Sequence, residues 1–125
     1  MSYQGELLEE GVIRAEFFDE INEEDAKKFA ADIDRFVDPA KGEKQIDTLN
    51  VFRGEIRLAA KTRRVFVKLN QNPYVGNHAF VGISRGLKVM VIFIVKVSGR
   101  ENINFFDTES EALAWLAEAA NNHRK

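Results

Sequence analysis

The sequence predicts an α/β fold: a mixed, mostly parallel sheet of about five strands with four helices. After an N-terminal pair of strand-like segments, strand and helix patterns alternate along the chain, which is typical of parallel sheets with helical crossovers. The chain has 125 residues, of which 45% are hydrophobic and 30% charged, values typical of one globular domain spanning residues 1–125. Prolines and helix-capping residues fall between the periodic segments, where they separate the predicted elements.

The N-terminal third predicts two strands and a helix. Residues 3–8 and 12–18 indicate a hairpin-like pair of strands. Asn22 is a favourable N-cap, and the acidic residues after it lie where the helix dipole favours negative charge. Apolar residues then recur at three- and four-residue steps, so we expect a helix over residues 23–37 that ends before Pro39.

The middle of the chain predicts a weak strand followed by a second helix. Residues 44–50 form the strand, and the helix is expected from about Gly54 to Leu69. Asn72 and Pro73 stop that helix, because the residue before a proline is biased away from helical geometry.

The next segment carries conflicting signals. Residues 78–83 predict a strand, and the composition of Val89–Val95 also favours a strand. However, Ser84 is a suitable N-cap and Gly99 a suitable helix end, so we predict a third helix over residues 85–97.

The last strand and helix are indicated by clear local signals. Residues 102–106 read as a strand. Thr108 and Glu111 have the spacing of a capping box, and apolar residues continue the pattern of a closing helix to Ala119.

Composition excludes several classes of site. The chain has no cysteine, which removes disulfides, thiolate metal sites and thiol catalysis, and its two histidines are too few for a histidine-rich metal site. No metal or cofactor is expected. The acidic N-terminus does not resemble a signal peptide, and the longest apolar run has seven residues, so we expect a soluble cytoplasmic protein.

Three stretches of the sequence carry a family resemblance. They are Asn77-His-Ala-Phe-Val-Gly-Ile-Ser-Arg85, Phe93-Ile-Val-Lys-Val-Ser-Gly99 and Phe105-Phe-Asp-Thr-Glu-Ser-Glu-Ala-Leu-Ala-Trp-Leu116. Together they resemble the SpoIIAA-like family of small bacterial proteins, which have a STAS-like fold, also described as STAS/SEC14-like. The resemblance extends from about Val12 to Ala117. It implies a fold, and the family has no established general activity. We expect a non-enzymatic binding or regulatory domain of the STAS-like class.

The resemblance also raises the question of a phosphorylation switch. Anti-sigma-factor antagonists with this fold carry a phosphorylated Ser at a helix opening, in an Asp-Ser-Ser-Gly type of sequence. The corresponding residues here are 46–54, where Arg53 and Gly54 stand at the opening and Thr48 lies inside the strand. A phosphoswitch is therefore not expected.

A small serine hydrolase is the alternative function. Gly82-Ile-Ser-Arg-Gly86 matches G-x-S-x-G between a predicted strand and helix, the context of a nucleophile elbow, and Asp107 and His123 follow in triad order. The chain is short for an α/β-hydrolase and lacks an oxyanion-loop motif, so we interpret Ser84 as a helix cap.

An anion-binding site is expected where the strands end and the helices begin. Ligands of open α/β sheets bind beyond the carboxyl ends of the strands, and helix N-termini attract anions. The candidate residues are Asn50, Arg53, Ser84, Arg85, Gly86 and Thr108.

Basic residues form a candidate interaction surface. Residues 51–100 hold ten Lys and Arg but one acid, Glu55. On the predicted second helix the spacing places five bases on one face: Arg53, Arg57, Lys61, Arg64 and Lys68. This face could contact anionic lipid or an acidic protein, at most peripherally to a membrane, while nucleic acid is not expected because no nucleic-acid-binding module is present.

The third helix is apolar on nearly all sides, interrupted by Lys88 and Lys96. Such a helix is buried on more than one side, either within the core or in an interface. We therefore expect a homodimer. As the bound species we expect a protein partner or a small anionic or lipidic ligand.

Overall fold

A computed structural model describes residues 3–8, 11–36 and 45–123. Within these residues the strands are β1 (Tyr3–Leu8), β2 (Val12–Ile21), β3 (Ile46–Leu58), β4 (Val75–Val81) and β5 (Ile103–Phe106). The helices are α1 (Glu23–Phe36), α2 (Thr62–Asn70), α3 (Arg85–Ser98) and α4 (Glu109–His123). The predicted α/β architecture is confirmed, whereas the predicted end of the first helix, between Val37 and Pro39, lies outside the described residues.

The strands lie in the sheet in chain order, β1-β2-β3-β4-β5. β1 pairs antiparallel with β2, and the other neighbours are parallel. Because each parallel strand is added on the same side of the last, right-handed crossovers place the connecting helices α1, α2 and α3 on one face. α4 follows the last strand and packs on the opposite face, against β3, β4 and β5.

Alternating residues of the central strands supply two cores. On the face of α1–α3, the core contains Phe17, Phe29, Phe52 and Leu69. The opposite core contains Leu49, Val51, Ala79 and Val81, together with Ala112 and Leu116 of α4. The sheet is thus buried on both sides through its middle strands.

The predicted boundary between β3 and α2 was wrong. β3 continues to Leu58 instead of ending at Asn50, and α2 begins only at Thr62. The extra length of β3 pairs with an equally extended β2, through Glu20 with Arg57 and Ile21 with Leu58. Asp19 of β2 and Gly54 of β3 have positive φ, and the pairing shifts register between Phe18 and Glu20. The residues predicted to begin the helix therefore continue β3 past this irregularity.

Local capping explains why the valine- and isoleucine-rich segment is a helix. The Ser84 hydroxyl accepts a hydrogen bond from the Leu87 backbone N–H, and Gly99 ends α3 in the left-handed conformation. Val91 and Ile94 face the core at helical spacing. The predicted caps of the other helices are confirmed as well: Asn22 Oδ1 accepts from the Asp25 N–H of α1, and Thr108 Oγ1 accepts from the Glu111 N–H of α4.

Candidate ligand-binding site

An apolar cavity of about 60 Å³ lies between the sheet and the helices of the first core. Its polar lining side chains are Asn50, Asn70 and His78. The inner side of α3 lines it with Leu87, Val91, Ile94 and Val95. The volume exceeds what one water molecule needs and is below that of an engineered cavity that binds benzene, and a cavity lined mainly by apolar groups stays dry.

A ladder of aromatic rings crosses the sheet beneath this cavity. Phe17, Phe52, Phe80 and Phe105 come from β2, β3, β4 and β5, and successive ring centroids are 5.4, 6.0 and 5.5 Å apart. Such cross-strand stacking gives the sheet a broad, flat apolar surface. α3 packs mainly on α2 and less on the strands, so the space between α3 and this surface is incompletely filled.

A buried hydrogen-bond network forms the polar side of the cavity. Asn50 Nδ2 donates to the Ala79 carbonyl at 3.2 Å and to Thr48 Oγ1 at 2.8 Å. Thr48 Oγ1 lies 2.5 Å from His78 Nδ1, and His78 Nε2 lies 2.9 Å from Asn70 Oδ1. The network joins residues of β3, β4 and α2 through the centre of the fold.

The bonds of Asn102 determine which groups of the network donate and which accept. Asn102 Nδ2 donates to the Gly76 carbonyl, so its Oδ1 is available to accept from Asn70 Nδ2, which also donates to Ser98 Oγ. Asn70 Oδ1 is therefore an acceptor, and His78 must present Nε2–H to it. The other ring nitrogen, Nδ1, then accepts the hydroxyl proton of Thr48.

This assignment requires a neutral imidazole. Burial and, to a smaller extent, the nearby Arg100 guanidinium lower the pKa of His78 to about 3. With both ring nitrogens engaged and no charge at neutral pH, His78 holds its neighbours in place and has no free nitrogen to act as a base.

Asn50 gives the cavity one usable polar atom. Asn50 is 3% exposed and lines the cavity, and its side-chain bonds to Ala79 and Thr48 both use Nδ2. Since the Ala79 carbonyl can only accept, the amide cannot be flipped. Within the described residues Asn50 Oδ1 accepts no hydrogen bond, and it can bind a donor on a ligand.

The expected anion-binding residues are not brought together. Asn50 lies on the cavity side of β3, whereas Arg53 forms ion pairs with Glu16 at 2.6 Å and Glu109 at 3.8 Å beside the start of α4. Arg14 joins the same group through Glu16 and Glu109. Hydrogen bonds from Arg53 and Arg14 lower the pKa values of Glu16 and Glu109, so Arg53 already neutralises acids of this chain.

The remaining candidates for an anion site lie at two helix starts on opposite faces of the sheet. Ser84, Arg85 and Gly86 are exposed at the start of α3, while Thr108 caps α4. Anion binding at Ser84–Gly86 stays a prediction.

Ser84 has the geometry of a cap and not that of a nucleophile. Its backbone is in the ordinary extended region, with φ −73° and ψ 161°, and its hydroxyl bonds to Leu87 N–H. The nearby Gly82 has φ +77° and lies so close to the Phe52 carbonyl that a Cβ there would clash. Asp107 is exposed, and the side chain of His123 is outside the described residues. The hydrolase alternative gains no support from this arrangement.

Replacing Ser84 tests this assignment directly. The Ser84→Ala substitution should lower the free energy of unfolding by about 1 kcal/mol, the usual effect of a lost N-cap. Urea unfolding would measure it, with Ser84→Asp as a control that restores a capping oxygen. A loss well below this value for Ala, or no recovery for Asp, would contradict the capping role.

The predicted five-residue basic face on one helix was wrong. Arg53 and Arg57 lie on β3, because this strand extends through residues predicted to be helical. Lys61 is the N-cap residue of α2, and Arg64 and Lys68 are exposed on that helix. The predicted basic surface on α2 is thus limited to Lys61, Arg64 and Lys68, and it lies beside α3.

The sequence reasoning missed the network residues Asn70, His78 and Asn102. The available signal was Thr48 and Asn50, two polar residues at alternate positions of a buried strand, which indicate one shared polar face. Their partners come from distant segments and gave no local pattern.

Within residues 3–8, 11–36 and 45–123, no group of His, Asp and Glu side chains is arranged to hold a metal ion. In the same part of the chain, no helix is long and apolar enough to cross a membrane.

Comparison with known proteins identifies the family. The model of the SpoIIAA-like family matches residues 12–117, which agrees with the limits of the resemblance given above. No curated protein matches the chain significantly. The match spans most of the chain, and the mixed sheet with four helices agrees with the STAS-like fold of regulatory and binding domains. The chain therefore belongs to the SpoIIAA-like family.

Proposed function

We propose that this protein is a non-enzymatic domain that binds a small lipidic ligand in the cavity between the sheet and α2–α3. The ligand class is a short hydrocarbon chain that carries one hydrogen-bond donor, such as a hydroxyl or an amide N–H. The observation that carries the proposal is an apolar cavity of about 60 Å³ with Asn50 Oδ1 as a free acceptor.

Energetics favour occupation of this space. An empty cavity lowers stability by roughly 24 cal/mol per Å³, so about 60 Å³ corresponds to about 1.4 kcal/mol. A hydrocarbon group that fills the cavity recovers this loss, and each methylene removed from water adds about 0.8 kcal/mol.

The polar groups around the cavity support binding without catalysis. His78 is neutral and both its nitrogens are engaged, and Asn50 and Asn70 do not titrate. Catalysis by acid, base or nucleophile needs a reactive group within reach of the substrate. An acceptor beside an apolar chain selects ligands by a hydrogen bond and by size.

The proposal predicts binding of short alcohols. Ethanol, whose three heavy atoms match the cavity volume, should shift the amide resonances of the Asn50 side chain and of Val91 and Val95 in α3. Dimethyl ether, an isomer of ethanol without a donor, should bind about fivefold more weakly because it cannot donate to Asn50 Oδ1. Two-dimensional NMR titration would measure both affinities.

A variant with a filled cavity tests whether the ligand binds there. The double substitution Val91→Ile and Val95→Ile adds two methylenes to the cavity wall, which should raise stability by about 1 kcal/mol and abolish ethanol binding. Val81→Ile adds one methylene in the opposite core and should leave binding intact. No ethanol binding by the wild type, or equal binding by the filled variant, would refute the proposal.

A further inference from the structure

The outer side of α3 carries an unpartnered apolar surface. Val89, Phe93 and Val97 are 69%, 59% and 52% exposed, and they recur at every fourth residue, so they form one line along the helix. We call these three residues the apolar stripe. A Phe and two Val side chains aligned in solvent mark a site of contact with another apolar phase.

Positive charge surrounds the apolar stripe. α2 packs beside α3 on the same face of the sheet, and residues 56–100 contain no Asp or Glu. The exposed bases of this layer, here the cationic rim, are Lys61, Arg64, Lys68, Arg85, Lys88 and Lys96. Among the described residues none of the six forms an ion pair within the chain.

From this arrangement we infer that α2 and α3 dock on the surface of an anionic lipid bilayer. Helices that lie in a membrane interface combine apolar side chains on one side with Lys and Arg around them. α3 has 14 residues, a length of about 21 Å, so it would lie flat with its apolar stripe among the acyl chains. The cationic rim would then sit at the level of the lipid phosphates.

Charge and composition favour this occupant over a protein. A second copy packed symmetrically on the apolar stripe would bring two cationic rims together, and like charges repel. The expected homodimer would therefore need another surface. Lysine is depleted in protein interfaces, whereas it is common around membrane-bound helices.

This inference goes beyond the proposed cavity function and does not depend on it. The apolar stripe points away from the cavity, which is lined by other residues of α3 such as Val91 and Ile94. Membrane docking and alcohol binding can therefore be tested, and can fail, separately.

Vesicle co-sedimentation tests the inference. The wild type should bind vesicles of equal parts phosphatidylcholine and phosphatidylglycerol, bind phosphatidylcholine alone far more weakly, and lose affinity as salt rises. Neutralising part of the cationic rim with Arg64→Gln, Lys68→Gln and Lys96→Gln should weaken binding about a hundredfold, at about fivefold per charge. The control, Lys27→Gln, Lys28→Gln and Arg35→Gln, makes the same charge change on α1 and should bind as the wild type does.

The role of the apolar stripe is tested with a matched pair of variants. Phe93→Ser should reduce binding to the mixed vesicles about tenfold, because one phenyl ring no longer leaves water. Leu113→Ser removes an exposed apolar side chain from α4, on the opposite face, and should have no effect.

Three results would overturn the inference. One is equal or absent binding to the two kinds of vesicle, which would leave an acidic protein as the partner of the cationic rim. Another is unchanged binding by Phe93→Ser. The third is a wild-type dimer in sedimentation equilibrium that Phe93→Ser dissociates, because a second copy would then cover the apolar stripe.

Discussion

Lowering the pH from 7 to 5 should destabilise this protein by about 2 kcal/mol through His78 alone. The pKa of His78 is about 3 in the folded protein and near 6.5 in the unfolded chain, because burial disfavours the imidazolium. Below pH 6.5 the unfolded chain therefore binds the extra proton. The stability associated with neutral His78 is complete above pH 6.5 and is lost progressively as the pH falls towards 3.

Urea unfolding at several pH values between 5 and 7 would measure this slope. The window separates His78 from the carboxylates, since the pKa values of Glu16 and Glu109 lie below 4.5 and those groups lose their proton-linked stability at lower pH. An NMR titration should show the ring of His78 as the neutral Nε2–H tautomer throughout this window. A flat stability profile, or a ring that titrates near pH 6.5, would contradict the buried network.

Removing Asn70 should have a still larger effect, about 3 kcal/mol in the free energy of unfolding. The Asn70→Ala substitution deletes the acceptor for His78 Nε2 and Asn102 Nδ2, and the donor to Ser98 Oγ. Each buried polar group left without a partner costs about 1–3 kcal/mol.

The neighbouring asparagine provides the control. Asn72 Oδ1 accepts one bond, from the Tyr74 N–H in an exposed turn. Asn72→Ala should therefore cost less than about 1 kcal/mol. Chemical denaturation of the two variants side by side would decide the matter, and similar losses for both would argue against a special role for the network.

Features determined by neighbouring residues could be predicted from the sequence. Ser84 and Gly99 define the ends of α3 even though Val89–Val95 has the composition of a strand, because capping acts over a few residues. Thr108 with Glu111 predicted the start of α4 for the same reason. These local signals gave the order of strands and helices, and this order predicted the fold.

Features determined by pairing between distant segments could not be predicted. The bases from Arg53 to Lys68 recur at helical spacing, yet Arg57 belongs to a strand because the end of β2 is long enough to pair with it. The cavity depends on where α3 lies above the sheet. The network joins Thr48, Asn70 and Asn102, which only the folded chain brings together.

The consecutive strand order has a consequence for how the chain folds during synthesis. Each strand pairs with the strand that precedes it in the chain, so the sheet can grow by one strand at a time as the segments leave the ribosome. Among the described side chains, the core beneath α1–α3 contains none from α4. Leu49, Val51 and Ala79 are covered on the other face only when Ala112 and Leu116 arrive. Docking of α4 is thus the event that ends exposure of apolar sheet surface, and with it the period in which the nascent chain can aggregate.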